Sequence, residues 1–276
     1  MDVFTPYSLE EALEIRFTHP EATPVAGGTD LMVEVNARRI RPSALLDLSH
    51  VSELKTWQKQ NGTVFVGAAM TFARIQRELI EFRPLAEAAR SVASPQIRNR
   101  ATIGGNLATA SPAGDSIPVL AAYDADVVVA SSKTWMRRIP LREFLVGPKH
   151  TSLEPDELIV GVEWRPVEGA GSFAKVGRRS AMIIAIASAC LQVSDEDRCV
   201  RLALGSVGPT VLRARRAEEF VQGLDWSDPA TLAEFGRLAA SDTRPIDDQR
   251  GTAVYRRHVV EVLSRRCLAR AEEERC

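Results

Sequence analysis

The chain has 276 residues, of which 45% are hydrophobic and 26% charged, and this length suits one large domain or two ordinary ones. Its 35 basic and 36 acidic residues leave a formal net charge of −1, which argues against a general nucleic-acid binder because such proteins carry a basic excess. The apolar run at 181–193 contains Ser188 and Gln192 and is too short for a bilayer, so we predict no membrane span.

Cysteine and histidine usage argues against a metal centre. The four cysteines all lie in the last third of the chain without metal-clip spacing, and the four histidines form no H-x-x-x-H cluster. No nucleophile elbow or Cys/His pairing points to a catalytic side chain. The polar, acidic first ten residues do not resemble a signal peptide, so we predict a reduced, cytoplasmic protein without a protein-ligated metal.

The basic residues are unevenly divided, since only five of them are lysine. An excess of arginine suits anion recognition, because the guanidinium group is rigid and always charged. Codon usage in the source genome explains the same excess, and the sequence does not decide between the two.

The N-terminal part alternates strand and helix patterns. Ser8 followed by Glu11 is a capping box, and it predicts a short helix that ends before Pro20. A strand at 23–26, a turn at Gly27 and Gly28, a helix, and a strand at 45–48 follow, which together make a β–turn–α–β unit. The helix would be capped by Thr29 or Asp30, with an apolar face formed by Leu31, Met32 and Val35.

The pattern changes near a cluster of proline and glycine at 166–171, which marks a domain boundary. Before it, the sequence predicts strands at 63–67, 126–130 and 159–164 and helices at 71–80, from Pro84, and at 117–123. After it, strands at 172–176, 183–193 and 200–207 and helices at 213–222, 229–241 and 252–274 predict an antiparallel sheet with closing helices.

Two glycine-rich turns are the strongest functional signal. The first reads Val25-Ala26-Gly27-Gly28-Thr29-Asp30, and the second reads Thr102-Ile103-Gly104-Gly105-Asn106. Glycine lets backbone amides approach a ligand closely, and amides at a helix start attract phosphate. Neither turn is G-x-G-x-x-G or a P-loop, so a Rossmann domain and a P-loop are disfavoured. Each alone is compatible with a plain turn, but together they predict two walls of one dinucleotide site.

Two charged residues lie near these patterns. Asp115 either caps the following helix or accepts a hydrogen bond from a sugar hydroxyl of the ligand. Lys175 lies in an apolar strand, and an exposed lysine is the default interpretation.

The two turns resemble the flavin motifs of the FAD-binding medium subunits of molybdenum hydroxylases, the xanthine dehydrogenase and carbon monoxide dehydrogenase family. Nearly the whole chain takes part in the resemblance. The further motifs that fit the family are 93–99 (ASPQIRN), 111–115 (SPAGD), 147–157, and Pro245 to Asp248 with Arg250, Tyr255 and Arg256.

The resemblance implies an α+β fold. Residues 1–166 would form a two-lobed FAD-binding domain of the vanillyl-alcohol-oxidase type, with lobes at roughly 1–52 and 53–166. Residues 171–276 would form a small α+β domain with a three-stranded antiparallel sheet and helices.

The resemblance also implies which residues hold FAD. Val25 to Leu31 and Thr102 to Asn106 would wrap the pyrophosphate, and Val92 and Ala93 would line the cofactor. Asp115 would bind a polar part of FAD, Ile159 would pack on the flavin, and Lys175 would lie near it. The implied residues are Val25, Ala26, Gly27, Gly28, Thr29, Asp30 and Leu31; Thr102, Ile103, Gly104, Gly105 and Asn106; Val92 and Ala93; and Asp115, Ile159 and Lys175. Where relatives often carry an acidic residue eight positions after the lysine, this chain has Ile183.

The implied function is electron transfer within a heterotrimer or its dimer. A large molybdenum-cofactor subunit would hydroxylate a substrate that this sequence does not identify. A small iron–sulfur subunit would pass the electrons to FAD, which would deliver them to NAD⁺, ahead of oxygen or a quinone, with no catalytic side chain required here. Two alternatives stay open: a stand-alone flavin oxidoreductase, and a non-catalytic assembly subunit with a decayed flavin site.

Overall fold

A computed structural model of the chain describes residues 1–179, 182–196 and 199–275. Part of the apolar run at 181–193 and one of the four cysteines, Cys276, lie outside the described residues. The strands are β1 (Asp2–Phe4), β2 (Ala22–Val25), β3 (Ala44–Asp47), β4 (Trp57–Gln60), β5 (Thr63–Gly67), β6 (Asp126–Ser131), β7 (Trp135–Pro140), β8 (Leu145–Gly147), β9 (His150–Thr151), β10 (Leu158–Trp164), β11 (Gly171–Val176), β12 (Ala187–Ser194), β13 (Cys199–Gly205) and β14 (Leu212–Arg213). The helices are α1 (Leu9–Thr18), α2 (Leu31–Asn36), α3 (Phe72–Glu78), α4 (Arg83–Ser91), α5 (Pro95–Arg98), α6 (Ile103–Thr109), α7 (Ser116–Ala122), α8 (Leu141–Phe144), α9 (Arg215–Phe220), α10 (Pro229–Ser241) and α11 (Ala253–Arg275), with short 3-10 helices at Leu48–His50 and Ser52–Lys55.

The described chain packs into two compact units, each built from separated segments. Unit 1 contains Met1–Arg74, Pro95–Ala110 and Ala125–Arg165. Unit 2 contains Ile75–Ser94, Ser111–Asp124 and the described chain from Pro166 onward. No helix in the described ranges combines the length and the apolar character needed to cross a bilayer.

Unit 1 begins with a parallel sheet in the order β1-β3-β2. The predicted β–turn–α–β unit is present, because β2 and β3 are parallel neighbours and α2 lies between them in sequence. Helix α1 begins after Ser8, whose hydroxyl accepts a hydrogen bond from the Glu11 amide at 3.2 Å, as predicted. The Glu11 carboxylate accepts from the Tyr7 amide at 2.8 Å instead of the Ser8 amide, so only half of the capping box is formed.

Helix α2 departs from the prediction in two ways. The Asp30 side chain makes no capping bond, because the Asp30 backbone is itself helical (φ −95°, ψ −46°) and not in the extended conformation of a cap. None of the residues of α2 is buried, and Met32, which the pattern placed on the apolar face, is 42% exposed. The helical period is correct, but the apolar face is only partly covered, since Leu31 and Val35 are half-buried and Met32 is exposed.

A five-stranded antiparallel sheet in the order β4-β5-β10-β6-β7 forms the rest of the unit 1 framework. Its central strand β10 is buried along nearly its whole length and carries a register shift between Ile159 and Gly161. One apolar cluster joins this sheet to the first one; it contains Leu9, Ala12, Leu13, Ala22, Ala44, Leu46, Leu48, Val51, Leu54, Ala69, Val128, Ala130, Leu158 and Val160.

Unit 2 is built on an antiparallel sheet in the order β11-β12-β13-β14. The three predicted strands are its long members, and the structure adds β14, a two-residue edge strand that is too short to show an alternating pattern. Strand β12 begins at Ala187 rather than at 183, and Ile184 upstream of it is 55% exposed. Helices α10 and α11 pack on each other, and α11 covers β11 and β12 to close the apolar core.

Candidate functional site

The first glycine turn follows strand β2 and depends on both of its glycines. A Cβ atom at Gly27 would lie 2.0 Å from the carbonyl oxygen of Arg100, a distance that no side chain tolerates. Gly28 has φ +72°, which is the left-handed region that glycine favours, and a Cβ there would meet nothing closer than 3.5 Å. Gly27 therefore allows close packing of the backbone, while Gly28 shapes the turn and leaves space beside it.

The amides of this turn are available to a ligand. The N–H groups of Gly28, Thr29 and Asp30 have no hydrogen-bond partner among the residues that the structure describes. The Thr29 hydroxyl also has no partner there, and its side chain is half-buried. Successive unpaired amides beside an open glycine are the arrangement that phosphate oxygens bind.

The second glycine turn uses its amides inside the protein. Thr102 caps α6, and its Oγ1 accepts a hydrogen bond from the Gly105 amide at 3.0 Å. The Ile103 and Gly104 amides donate to the main-chain carbonyls of Met70 (3.1 Å) and Ala68 (2.9 Å). The expectation of an amide cradle is therefore revised for this turn, because these amides already have acceptors.

What the second turn offers a ligand is its surface. A Cβ atom at Gly104 would lie 2.6 Å from the Cβ of Ala68, so Gly104 is fixed by packing. Gly105 is exposed and Asn106 is half-buried, and a Cβ at Gly105 would meet only the Thr102 hydroxyl, at 3.0 Å. The side of the turn that faces away from the Ala68 backbone is thus exposed at Gly105.

The two turns come together within unit 1. Gly27 packs against the main chain of Arg100 and Ala101, which directly precede the second turn. The hydroxyl of Thr109, in α6, donates a hydrogen bond to Asp30 Oδ2 at 2.9 Å. The sequence prediction that the turns are neighbours is consistent with both contacts.

Ile159 also belongs to unit 1, where it lies in the five-stranded sheet and not in a glycine turn. It lies in β10 opposite Val129 and is 7% exposed. Its neighbours Leu158 and Val160 belong to the apolar cluster of unit 1. The packing of Ile159 on a flavin stays a prediction.

The other four predicted residues belong to unit 2, where Asp115 and Lys175 form a buried ion pair. Lys175 Nζ lies 2.6 Å from Asp115 Oδ2, and the two side chains are 9% and 8% exposed. Asp115 precedes α7 but makes no capping bond, so the capping interpretation is wrong. The default of an exposed lysine is wrong as well, because the nearby carboxylate and carbonyl oxygens stabilise Lys175 in a buried position.

The surroundings of Asp115 leave one oxygen unused. Oδ2 accepts hydrogen bonds from Lys175 and from the Ser91 hydroxyl (3.3 Å), whereas Oδ1 is buried and has no partner among the described residues. Burial raises the pKa of this carboxyl above its usual value, and the Lys175 ammonium opposes the rise. A buried acceptor without a donor is the kind of group that a ligand hydroxyl or N–H satisfies.

Val92 and Ala93 directly follow the residue that bonds Lys175. The main-chain carbonyl of Ser91 accepts from Lys175 Nζ at 2.7 Å, and Ala93 has an unusual φ of +36°. Ser91 was not predicted as a site residue, because its bond to Lys175 uses a main-chain oxygen and its bond to Asp115 joins residues 24 positions apart. Within the described ranges, no group of three or more His, Cys, Asp or Glu side chains is arranged to hold a metal ion.

The family described as the FAD binding domain in molybdopterin dehydrogenase matches residues 1–164. The chain belongs to the FAD-binding subunits of the molybdenum hydroxylases, the xanthine dehydrogenase and carbon monoxide dehydrogenase family. The CO dehydrogenase flavoprotein C-terminal domain matches residues 172–271, and the resemblance seen in the motifs is confirmed.

Named relatives of this FAD-binding subunit cover most of its length. It is 33% identical over 236 residues to the nicotinate dehydrogenase FAD-subunit of Eubacterium barkeri, which covers 80% of this chain and 79% of that protein. It is 30% identical over 274 residues to the putative xanthine dehydrogenase FAD-binding subunit of Escherichia coli K12, covering 96% and 93%. It superposes on a chain of quinoline 2-oxidoreductase from Pseudomonas putida 86 with a TM-score of 0.91 at 28% identity, covering 99% of this chain and 97% of that chain.

The FAD-binding subunit is thus a mixed helix and strand oxidoreductase subunit with FAD as its cofactor. Two observations fit this group: the unpaired amides of residues 28–30 suit a pyrophosphate, and the orphaned Oδ1 of Asp115 suits a hydroxyl of the nucleotide.

Proposed function

We propose that this FAD-binding subunit carries electrons from the iron–sulfur clusters of a partner subunit to NAD⁺. The partner set would be a small iron–sulfur subunit and a large molybdenum-cofactor subunit, in a heterotrimer or its dimer. The proposal is supported by relatives named as FAD-subunits of nicotinate and xanthine dehydrogenases. Bound FAD would supply the redox chemistry, because it exchanges single electrons with clusters and a hydride with a nicotinamide.

The observation that carries the flavin site of this proposal is the turn at Gly28, Thr29 and Asp30, whose amides have no partner among the described residues. These amides would bind the pyrophosphate, and the exposed face of Gly105 with Asn106 would form the opposite wall. The predicted site comprises Val25 to Leu31, Thr102 to Asn106, Val92, Ala93, Asp115, Ile159 and Lys175. In this site Asp115 Oδ1 would accept a hydrogen bond from the cofactor, and Ile159 would pack on the flavin.

The flavin site is tested best at Gly105, because this glycine is exposed while Gly104 is locked against Ala68. We expect Gly105→Val to remain folded, because Gly105 is exposed and a Cβ there would contact only the Thr102 hydroxyl, and to lose at least about tenfold in FAD affinity. The measurement is titration of apoprotein with FAD by flavin fluorescence, alongside a thermal melt. A folded Gly105→Val variant that binds FAD like the parent contradicts the second wall of the site.

The acceptor is tested with the FAD-loaded protein under anaerobic conditions. Addition of NADH should bleach the visible flavin absorbance, since hydride transfer is reversible between the two cofactors. A flavin that NADH leaves oxidised, while dithionite bleaches it, removes NAD⁺ as the acceptor and favours oxygen or a quinone.

The partners are tested by native purification from the source organism. We expect the chain to come with two further subunits whose iron and molybdenum are detected by elemental analysis. A chain that is isolated alone and turns over a substrate by itself would instead be a stand-alone flavin oxidoreductase.

A further inference from the structure

Lys175 is held by three oxygen atoms from three separate segments of unit 2. Its Nζ lies 2.6 Å from Asp115 Oδ2, 2.7 Å from the Ser91 carbonyl oxygen and 3.3 Å from the Ile183 carbonyl oxygen. A lysine ammonium has three N–H donors and no acceptor. All three donors are therefore used, and Lys175 has none left for a ligand.

Asp115 is in the opposite situation. Its Oδ2 is occupied by Lys175 and the Ser91 hydroxyl, but its Oδ1 is buried without a partner among the described residues. The pair therefore presents a free acceptor on the acid and no free donor on the base.

We propose that Lys175 is a positioning residue, which fixes the Asp115 carboxylate so that Oδ1 meets the cofactor, and that Lys175 itself makes no hydrogen bond to FAD. This inference rests on the proposed site, in which Asp115 contacts FAD. It replaces the simplest expectation for a lysine near a flavin nucleotide, which is a direct contact with the ring or with the phosphates.

The third bond to Lys175 depends on a close contact between Gly177 and Ile183. The Cδ1 atom of Ile183 lies 1.7 Å from the place that a Cβ of Gly177 would occupy. Glycine at this position thus lets the Ile183 side chain pack inward, and the packed residue supplies the carbonyl to Lys175. Since the acceptor is a main-chain atom, the absence of an acidic side chain at position 183 leaves the bond intact.

A double-mutant cycle in FAD affinity separates positioning from direct contact. The proteins are the parent, Asp115→Asn, Lys175→Met and the double variant, each titrated as apoprotein with FAD by fluorescence. We expect each single variant to bind FAD about tenfold more weakly, and the double variant to match Asp115→Asn within about twofold, because Lys175 acts only through Asp115.

Three outcomes would overturn the inference. A further loss of about tenfold on adding Lys175→Met to Asp115→Asn means that the lysine contacts FAD directly. Parent-like FAD binding by Lys175→Met means that the lysine positions nothing. Parent-like binding by Asp115→Asn with weakened binding by Lys175→Met means that the lysine acts without the acid.

Thermal melts of the apoproteins keep the test independent of folding. Lys175→Met leaves a buried unpaired carboxylate and will melt early. If it does not fold, the comparison of Asp115→Asn with the double variant decides, because the double variant buries no charge at the pair. Lys133→Met is the matched control, since Lys133 is 61% exposed in an ion pair with Asp156 and should leave FAD affinity unchanged.

Failure of the proposed site gives a different signature. A parent protein that does not bind FAD contradicts the cofactor. FAD binding that is unaffected in all three variants removes Asp115 from the site and the positioning role with it.

Discussion

The two glycine turns of unit 1 have the same Gly-Gly dipeptide but use it differently. In both turns the first glycine, Gly27 or Gly104, is packed against another segment so closely that a Cβ would clash. In the first turn the amides of Gly28, Thr29 and Asp30 have no acceptor among the described residues, whereas in the second the amides of Ile103, Gly104 and Gly105 are bonded to Met70, Ala68 and Thr102. The first turn is therefore free to bind an anion, and the second contributes rigidity and an open surface.

A glycine pair thus indicates a close approach of the backbone rather than ligand binding. What decides the function of each turn is where its N–H groups point, and that depends on segments distant in sequence. Substitutions that separate packing, helix capping and ligand contact test this difference between the two turns.

Gly27→Ala should have the largest effect on stability. Its Cβ would overlap the carbonyl oxygen of Arg100, which cannot move without displacing the backbone, so we expect a loss of about 3 kcal/mol. At Gly28 there is room for a Cβ atom, so we expect Gly28→Ala to lose only about 1–2 kcal/mol, because alanine disfavours the left-handed backbone. Urea unfolding of the two apoproteins checks this order, and equal losses would show that packing and turn conformation are not separate at this turn.

Glu157 belongs to unit 1 but lies outside the two turns. We expect Glu157→Gln to lower the free energy of unfolding by about 2 kcal/mol at neutral pH. Glu157 is 3% exposed and accepts hydrogen bonds from Arg137 at 2.5 and 2.8 Å and from the Glu154 amide at 2.9 Å. Burial alone would raise the pKa of Glu157, but these bonds outweigh burial and hold the pKa below 4.5.

Because the folded-state pKa is lowered, the stability from Glu157 is complete above about pH 4.5 and is lost as the pH falls through the lowered value. Unfolding measured across acid pH should therefore show a slope in the parent that Glu157→Gln reduces. The glycine variants should run parallel to the parent, since their effects are steric. A glycine variant with its own pH slope would contradict that explanation.

Thr102→Val and Thr29→Val form a matched pair across the two turns. Thr102 caps α6, so its loss should cost about 1 kcal/mol of folding free energy. Thr29 has no partner in the described protein, so its loss should leave stability within about 0.5 kcal/mol. We expect Thr29→Val to weaken FAD binding about fivefold instead. If Thr29→Val lowered the stability and Thr102→Val weakened FAD binding, the first turn would be the structural one and the second the ligand-binding one.

Asp30→Ala should have the smallest effect. Its bond to the Thr109 hydroxyl lies at the surface, and it makes no helix cap, so we expect a change of about 0.5 kcal/mol or less in urea unfolding. A larger loss would show that this bond, rather than the packing of Gly27, joins the two turns.

Local elements were predictable because their signals are local. The Ser8 cap, the alternation at 63–67 and the helical period at Pro229–Ser241 identify elements that the structure contains. Strand β14, with two residues, has no pattern to detect. The burial of α2 was overestimated, because an apolar helical stripe does not report whether another element covers it.

The site was predictable in position but not in chemistry. The glycine turns indicate where the backbone approaches another group, but the acceptors of the second turn, on Ala68 and Met70, belong to a distant segment. Lys175 looked like a surface residue, because its partners Asp115 and Ser91 precede it by a long stretch of chain. Such non-local pairings are decided by the tertiary fold.

Unit 2 is assembled from segments that are far apart in the sequence, and this has a consequence for biosynthesis. All seven residues of α7 are buried, and α7 packs against β12 and β13, which leave the ribosome much later. Until those strands are made, the nascent chain carries a helix that is apolar apart from Ser116 and has no sheet to cover it. Contacts between segments that are far apart in sequence form slowly, because closing the intervening chain costs conformational entropy before the contact stabilises the fold. We expect the half of the molecule that holds the Asp115 and Lys175 pair to fold last, after release of the complete chain.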